Sequence, residues 1–141
     1  MQRKILPSLL AILSSLALNL LGETELPAMF GDHMVLQRDK PVPVWGWSEE
    51  DQEVKVTFGG KSASARAGKD GRWEVRLPAM KANDQGRELT IEGSEKIIIK
   101  DVLVGEVWVC SGQSNMEWSV NGALNPNEEK QAADHPKIRH I

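Results

Sequence analysis

From Leu26 to about Leu103, apolar residues recur at every second position in short runs separated by turn residues. That period is the pattern of strands with one face on a core. Val54, Val56 and Phe58 alternate with Lys55 and Thr57, and Trp73, Val75 and Leu77 alternate with Glu74 and Arg76. Val42-Pro43-Val44-Trp45-Gly46-Trp47 reads as a strand whose prolines suit an edge or a strand start. Gly59-Gly60 turns the chain into a weaker strand of small residues, Lys61 to Ala67. Gly68-Lys69-Asp70-Gly71 predicts a hairpin, because Asp-Gly tolerates positive φ. Asn83-Asp84-Gln85-Gly86 predicts a turn before a strand at Leu89 and Ile91, and Ile97-Ile98-Ile99 continues after Gly93-Ser94. Short strands at spacings near ten residues predict a mostly β protein that begins with an antiparallel β-sandwich.

At Asp101 the pattern changes. Val102-Leu103-Val104 and Val107-Trp108-Val109-Cys110 are denser in apolar residues, which suits a strand buried on both faces of a parallel α/β sheet. Gly112 breaks the run, and Ser114-Asn115-Met116-Glu117 reads as a helix opening with Ser114 or Asn115 near its N-cap. A short helix is expected over Glu128 to Ala133, and Lys137 to Ile141 alternates like a further strand.

Composition narrows the function classes. The first 21 residues carry Arg3 and Lys4 and then an uncharged run from Ile5 to Leu21, the layout of a secretory signal cleaved near Gly22. Its 17 uncharged residues, interrupted by Pro7 and several polar side chains, fall short of the roughly 20 that span a bilayer, so export rather than anchoring is expected. The destination is secreted or periplasmic. Without that segment, Lys+Arg falls from 17 to 15 against 20 Asp+Glu, a net charge of −5 with no basic cluster. Nucleic acid is therefore not an expected partner. Cys110 is the single cysteine and forms no intrachain disulfide; inside its apolar run it reads as a small buried hydrophobe. No Cys, His and Asp spacing suggests a metal, and no glycine loop suggests a nucleotide, so no cofactor is expected. Trp45, Trp47 and Trp73 read first as packing of the β-domain core and its rim. Trp45 and Trp47 on one strand face are also candidate glycan contacts.

The chemistry concentrates at Ser114. A serine needs an adjacent base and donors for the oxyanion of its tetrahedral intermediate. At a strand-to-helix junction, Gly112 permits close approach and the N–H of Ser114 or Asn115 can face developing negative charge. The side chains of Gln113 and Asn115 can orient substrate. Gly112-x-Ser114 matches half of the G-x-S-x-G elbow, but Met116 stands at the second glycine, which argues against an ordinary lipase or esterase elbow. Asp134-His135 is an unpromising acid–base pair, since adjacent side chains rarely align on one distant serine. His33 and His140 read as structural.

The block Gly105-Glu106-Val107-Trp108-Val109-Cys110-Ser111-Gly112-Gln113-Ser114-Asn115-Met116-Glu117-Trp118 closely resembles the nucleophile block of the sialate O-acetylesterase (9-O-acetylesterase) family of SGNH-like hydrolases. Upstream, Met34-Val35-Leu36-Gln37-Arg38, Pro41 to Trp47, and Asp70-Gly71-Arg72-Trp73 resemble that family's N-terminal β-domain. The resemblance implies a serine carbohydrate esterase that removes O-acetyl groups from sialic acid or other glycans, with Ser114 as nucleophile. The family's histidine and acid lie far downstream of the matched block. The expectation is thus a signal peptide over 1–22, a β-sandwich over 23–103, and over 104–141 the start of an SGNH-type α/β hydrolase domain. Such an N-terminal fragment is expected to be inactive alone. The alternative is a non-catalytic secreted β-sandwich module that binds carbohydrate or another partner.

Overall fold

The computed structural model describes residues 22–140. Its strands are β1 (Val35–Gln37), β2 (Val42–Trp47), β3 (Glu53–Phe58), β4 (Lys61–Arg66), β5 (Arg72–Leu77), β6 (Asn83–Glu92) and β7 (Lys96–Gly105), followed by one short helix, α1 (Pro126–Ala132). They form a five-stranded sheet of order β1-β7-β6-β3-β4 and a two-stranded sheet of β2 and β5. The alternation read from the sequence is what joins them. Val54, Val56, Phe58, Leu89 and Ile91 from the larger sheet, and Val44, Trp73, Val75 and Leu77 from the smaller, are buried in one apolar cluster. Burying these side chains supplies the main driving force for the fold.

Local chemistry explains the tightest connection. Gly59 and Gly60 take φ of 55° and 76°, and Phe58 faces Lys61 across them. Two successive positive φ values make a two-residue loop whose twist matches its strands. Pro43 lies in β2, whose strand partner among the described residues is β5, so its missing N–H leaves the ladder intact.

Several expectations are corrected. Gly68 to Gly71 does turn, with Gly71 N–H donating to the Gly68 carbonyl at 2.9 Å, but it is not a hairpin: β4 and β5 belong to different sheets, and the turn carries the chain between them. The pairing is not wholly antiparallel, because β1 lies parallel to β7, with Val35 opposite Leu103 and Gln37 opposite Gly105. Asn83 to Gly86 is not a turn ahead of a strand but the start of β6. Asn83 Oδ1 accepts the Gln85 N–H at 2.8 Å, an Asx-type contact, while register shifts against β7 absorb the extra residues. Val107 to Cys110 do not form a strand, and Trp108 and Val109 are 82% and 91% exposed. No strand among the described residues lies beside them to complete a ladder. Cys110 is accordingly exposed rather than buried. Lys137 to His140 are likewise irregular. The expected helix near Glu128 is present as α1.

The signal-peptide reading falls on residues 1–21, outside the described residues; only Gly22 of that segment is described. Among the described residues no helix is long and apolar enough to cross a membrane. Behind Gly22, Thr24 is buried, its Oγ1 3.3 Å from Ser48 Oγ and 3.2 Å from Ser94 Oγ. Glu25 bridges to Trp47 on β2.

The segment after α1 returns to the β-domain and docks on an irregularity of β7. Asp101 and His33 both take positive φ, 54° and 69°, and His33 Nδ1 lies 2.7 Å from Asp101 Oδ2. Arg139 Nη1 donates to the carbonyls of His33 and Asp101 at 3.0 and 2.6 Å and lies 3.0 Å from the Asp101 carboxylate. Lys137 pairs with Asp84 on β6. Gly86 is required beneath this cluster, since a Cβ there would occupy the place of the Asp101 carboxylate. Hydrogen bonds from His33 and Arg139 hold the Asp101 carboxyl below the ordinary range, against a smaller opposing effect of desolvation. Lys137 does the same for Asp84.

Two outcomes follow from this packing. Gly46 lies opposite Trp73, and a Cβ on it would strike the Glu25 carbonyl and the Trp73 ring. Gly46→Ala should therefore destabilise the protein by about 1–3 kcal/mol, the usual cost of overpacking, read as a lower urea midpoint. A carboxyl whose pKa is depressed by folding adds stability that is full above its unfolded value of about 4 and is lost as pH falls through the folded one. Lys137→Ala and Arg139→Ala should thus lower the urea midpoint more at pH 7 than in acid where the carboxyls are protonated, Arg139→Ala keeping a pH-independent part from its bonds to the His33 and Asp101 carbonyls. Equal losses at both pH values would show that these pairs contribute no linkage.

Candidate active site

The site begins where the β7 ladder stops. Arg38 N–H donates to the Gly105 carbonyl at 2.9 Å, the last backbone bond between the β1 edge and β7. Two residues beyond Gly105, the Gln37 carboxamide takes over the role of a backbone peptide. Its Oε1 accepts the Val107 N–H at 3.0 Å, and its Nε2 donates at 3.1 Å to both the Arg38 carbonyl and Glu106 Oε2. Glu106 also lies 3.7 Å from Arg38, which is held at 2.7 Å by Asp39, itself 2.7 Å from Lys81. Hydrogen bonds from Lys81 and then Arg38 keep the Asp39 carboxyl below the ordinary range, and Asp39 raises Arg38 in turn.

Beyond this anchor the chain runs exposed to Ser114, the first residue of a single 3-10 turn, Ser114–Glu117, with Gln113 as its N-cap. Met116 N–H donates to the Gln113 carbonyl at 2.9 Å, and Trp118 N–H to the Asn115 carbonyl at 3.2 Å. The N–H groups of Ser114 and Asn115 lead the turn and have no backbone acceptor among the described residues. Met116, the residue that breaks the elbow pattern, folds back on Gly112: a Cβ on that glycine would lie 3.1 Å from Met116 Cγ. Trp118 lies against Gly122 so closely that a Cβ there would collide with its indole nitrogen. Glycine at 122 thus leaves room for the indole, while a Cβ at 112 would be a tight contact that Met116 could relieve by a small shift. Lys130 of α1 reaches Asn121 and ties the helix to the loop.

Gly112, Gln113, Ser114 and Asn115 thus lie together on one exposed turn. No histidine side chain is hydrogen-bonded to Ser114 among the described residues. His33 is engaged by Asp101, and no side-chain hydrogen bond joins Asp134 to His135 among the described residues. Apolar side chains around the turn are open to solvent, including Met116 at 56% and Trp118 at 71% exposure. Sequence reasoning missed Gln37 and Glu106 as supports of this segment. Gln37 stood inside a motif already singled out, but nothing in the linear pattern places it beside Val107, which lies 70 residues on.

Trp73 is core, as expected, and is 1% exposed. Trp45 and Trp47 occupy the opposite, outer face of the smaller sheet, because Val42, Val44 and Gly46 take the inward positions of β2. Trp45 packs edge-on against Phe30, with ring centroids 4.9 Å apart, and Trp47 is 44% exposed. Across the strand pair they face Glu74 and Arg72. Glu74 also lies 2.7 Å from Arg76, so an aromatic row runs beside a charged one.

No protein-family model matches the chain. Sialate O-acetylesterase of Homo sapiens is 34% identical over 108 residues, which are 68% of this chain and 20% of that protein. Sialate O-acetylesterase of Rattus norvegicus is 31% identical over 109 residues, 70% of this chain and 20% of that protein. The crystal structure of a carbohydrate acetylesterase from Xanthomonas citri superposes with a TM-score of 0.74 at 41% identity, over 81% of this chain and 26% of that one. The chain therefore spans about a fifth of the length of the curated relatives it matches. Strand architecture and sequence agree in their assignment: over the length that it spans, this chain belongs to a sialate O-acetylesterase-like family.

Proposed function

We propose that this chain carries the nucleophile of a serine carbohydrate esterase that removes O-acetyl groups from sialic acid or other acetylated glycans. The observation that carries this reading is the exposed Gly112-Gln113-Ser114-Asn115 turn at the exit of β7, in a chain 41% identical to a carbohydrate acetylesterase. Residues 23–103 would form the β-domain, and 104–141 the opening of an SGNH-type hydrolase domain. In the reaction, Ser114 Oγ attacks the acetyl carbonyl carbon as a histidine from beyond the matched block takes its proton. The N–H groups of Ser114 and Asn115, with the Asn115 carboxamide, would hold the oxyanion, and the Gln113 carboxamide would orient the sugar. The tetrahedral intermediate collapses as the sugar oxygen leaves with the histidine's proton. Water, deprotonated by the same base, then attacks the acetyl-serine ester and releases acetate.

In the full-length protein, Ser114→Ala should lower acetate release from an aryl acetate and from O-acetylated sialic acid by about 10³-fold or more. Residues 1–141 alone should show almost none. Wild-type rates in Ser114→Ala would sink the assignment.

The outer face of the smaller sheet favours a second role, glycan binding by the β-domain. Sugars stack on exposed indoles, and Trp47 is open beside Arg72 and Glu74. Trp47→Ala should then weaken glycan retention without changing the rate on an aryl acetate; retention unchanged by the substitution would exclude that role. The uncharged run before Gly22 supports export, with cleavage after Gly22. Mass spectrometry of the secreted or periplasmic protein should find Glu23 at its N-terminus, and an intact Met1 would refute cleavage.

A further inference from the structure

The geometry points to Gln37 as a positioning residue for the nucleophile turn, a role that rests on the esterase reading above. The backbone ladder between β1 and β7 reaches only as far as Gly105. The Gln37 carboxamide then adds one further rung, accepting from Val107 N–H at 3.0 Å and donating to the Arg38 carbonyl at 3.1 Å. A primary amide can do this because it presents one acceptor and two donors in the geometry of a peptide group. Its second donor goes to Glu106 at 3.1 Å, so the carboxamide orientation is set by a charged acceptor as well as by the strand. Between this rung and Ser114, no side chain is buried and no strand pairs with the chain among the described residues. Gln37 therefore sets the direction in which the segment leaves the sheet. Seven residues later, a small rotation at Val107 is a displacement of Ser114. Displacement of a reacting atom by about 1 Å can cost on the order of 100-fold in rate.

The test is made in the full-length protein, well below its melting temperature. Gln37→Ala should reduce kcat for an aryl acetate roughly 10- to 100-fold with KM changed little, the signature of lost transition-state alignment. Amide exchange at Val107 should quicken. Gln37→Glu keeps an acceptor for Val107 but sets a carboxylate against Glu106 and the Arg38 carbonyl, so it should also be slow; adding Glu106→Gln should recover much of the rate. That recovery also decides the matter if Gln37→Ala does not fold. Val56→Ala, a core truncation, should lower the melting temperature and leave kcat unchanged, separating stability from positioning. Near-normal kcat in Gln37→Ala beside an inactive Ser114→Ala would overturn the role of Gln37 alone. Activity surviving in Ser114→Ala would overturn the esterase reading and this inference together.

Discussion

The rest of the structure depends on the hydrogen bonding of β7 along both edges. On one side it pairs with β6 in antiparallel fashion, and on the other it takes β1 in parallel. A strand held on both edges is fixed in register, so its last residue has a defined position and heading. That last residue is Gly105, and the turn bearing Ser114 follows within ten residues. The strands up to Gly105 thus set where the segment bearing Ser114 leaves the sheet. A shared core joins the two sheets.

The same strand shows how a backbone irregularity becomes a docking point. The two register shifts along β6 and β7 push Asp101 into positive φ over Gly86. A non-glycine residue adopts that conformation only when its surroundings over-determine it. Here the surroundings are His33, itself at positive φ, and Arg139 from the far end of the described chain. The carboxylate therefore joins two distant parts of the sequence, at His33 and Arg139, at one point. With Lys137 on Asp84, it returns the segment after α1 to the strands that precede the Ser114 turn.

Where the linear pattern succeeded, one local cause was sufficient. Alternation marked β3 and β5 with their inward faces, and Gly59-Gly60 marked a connection made by two positive-φ glycines. Where it failed, two local signals competed with a distant partner. Asp70-Gly71 turns the chain as its chemistry requires, yet the strand after it pairs with β2 rather than with β4. Asn83 makes its Asx contact, but β7 pairs on both sides and draws the whole segment into β6. The apolar run Val107 to Cys110 looks like a buried strand by composition, but ladder and burial are properties of neighbours, and the described residues place none beside it.

Sequence alone thus determined the β character of the domain, the inward positions of β3 and β5 and the family resemblance of the block around Ser114. Each follows from short-range period, turn stereochemistry or an uninterrupted motif. Only the tertiary structure decided that β1 pairs parallel to β7, that Asp101 meets His33 and Arg139, and that Gln37 supports the chain at Val107. Those partners lie 68, 38 and 70 residues apart, and such contacts form only when the fold brings their backbones together. The physical reason is that a side chain's chemistry is local while its partner is a matter of topology. The resemblance of the Ser114 block was legible because its neighbours in sequence carry it, and the contact of Gln37 was not because its neighbour in space does.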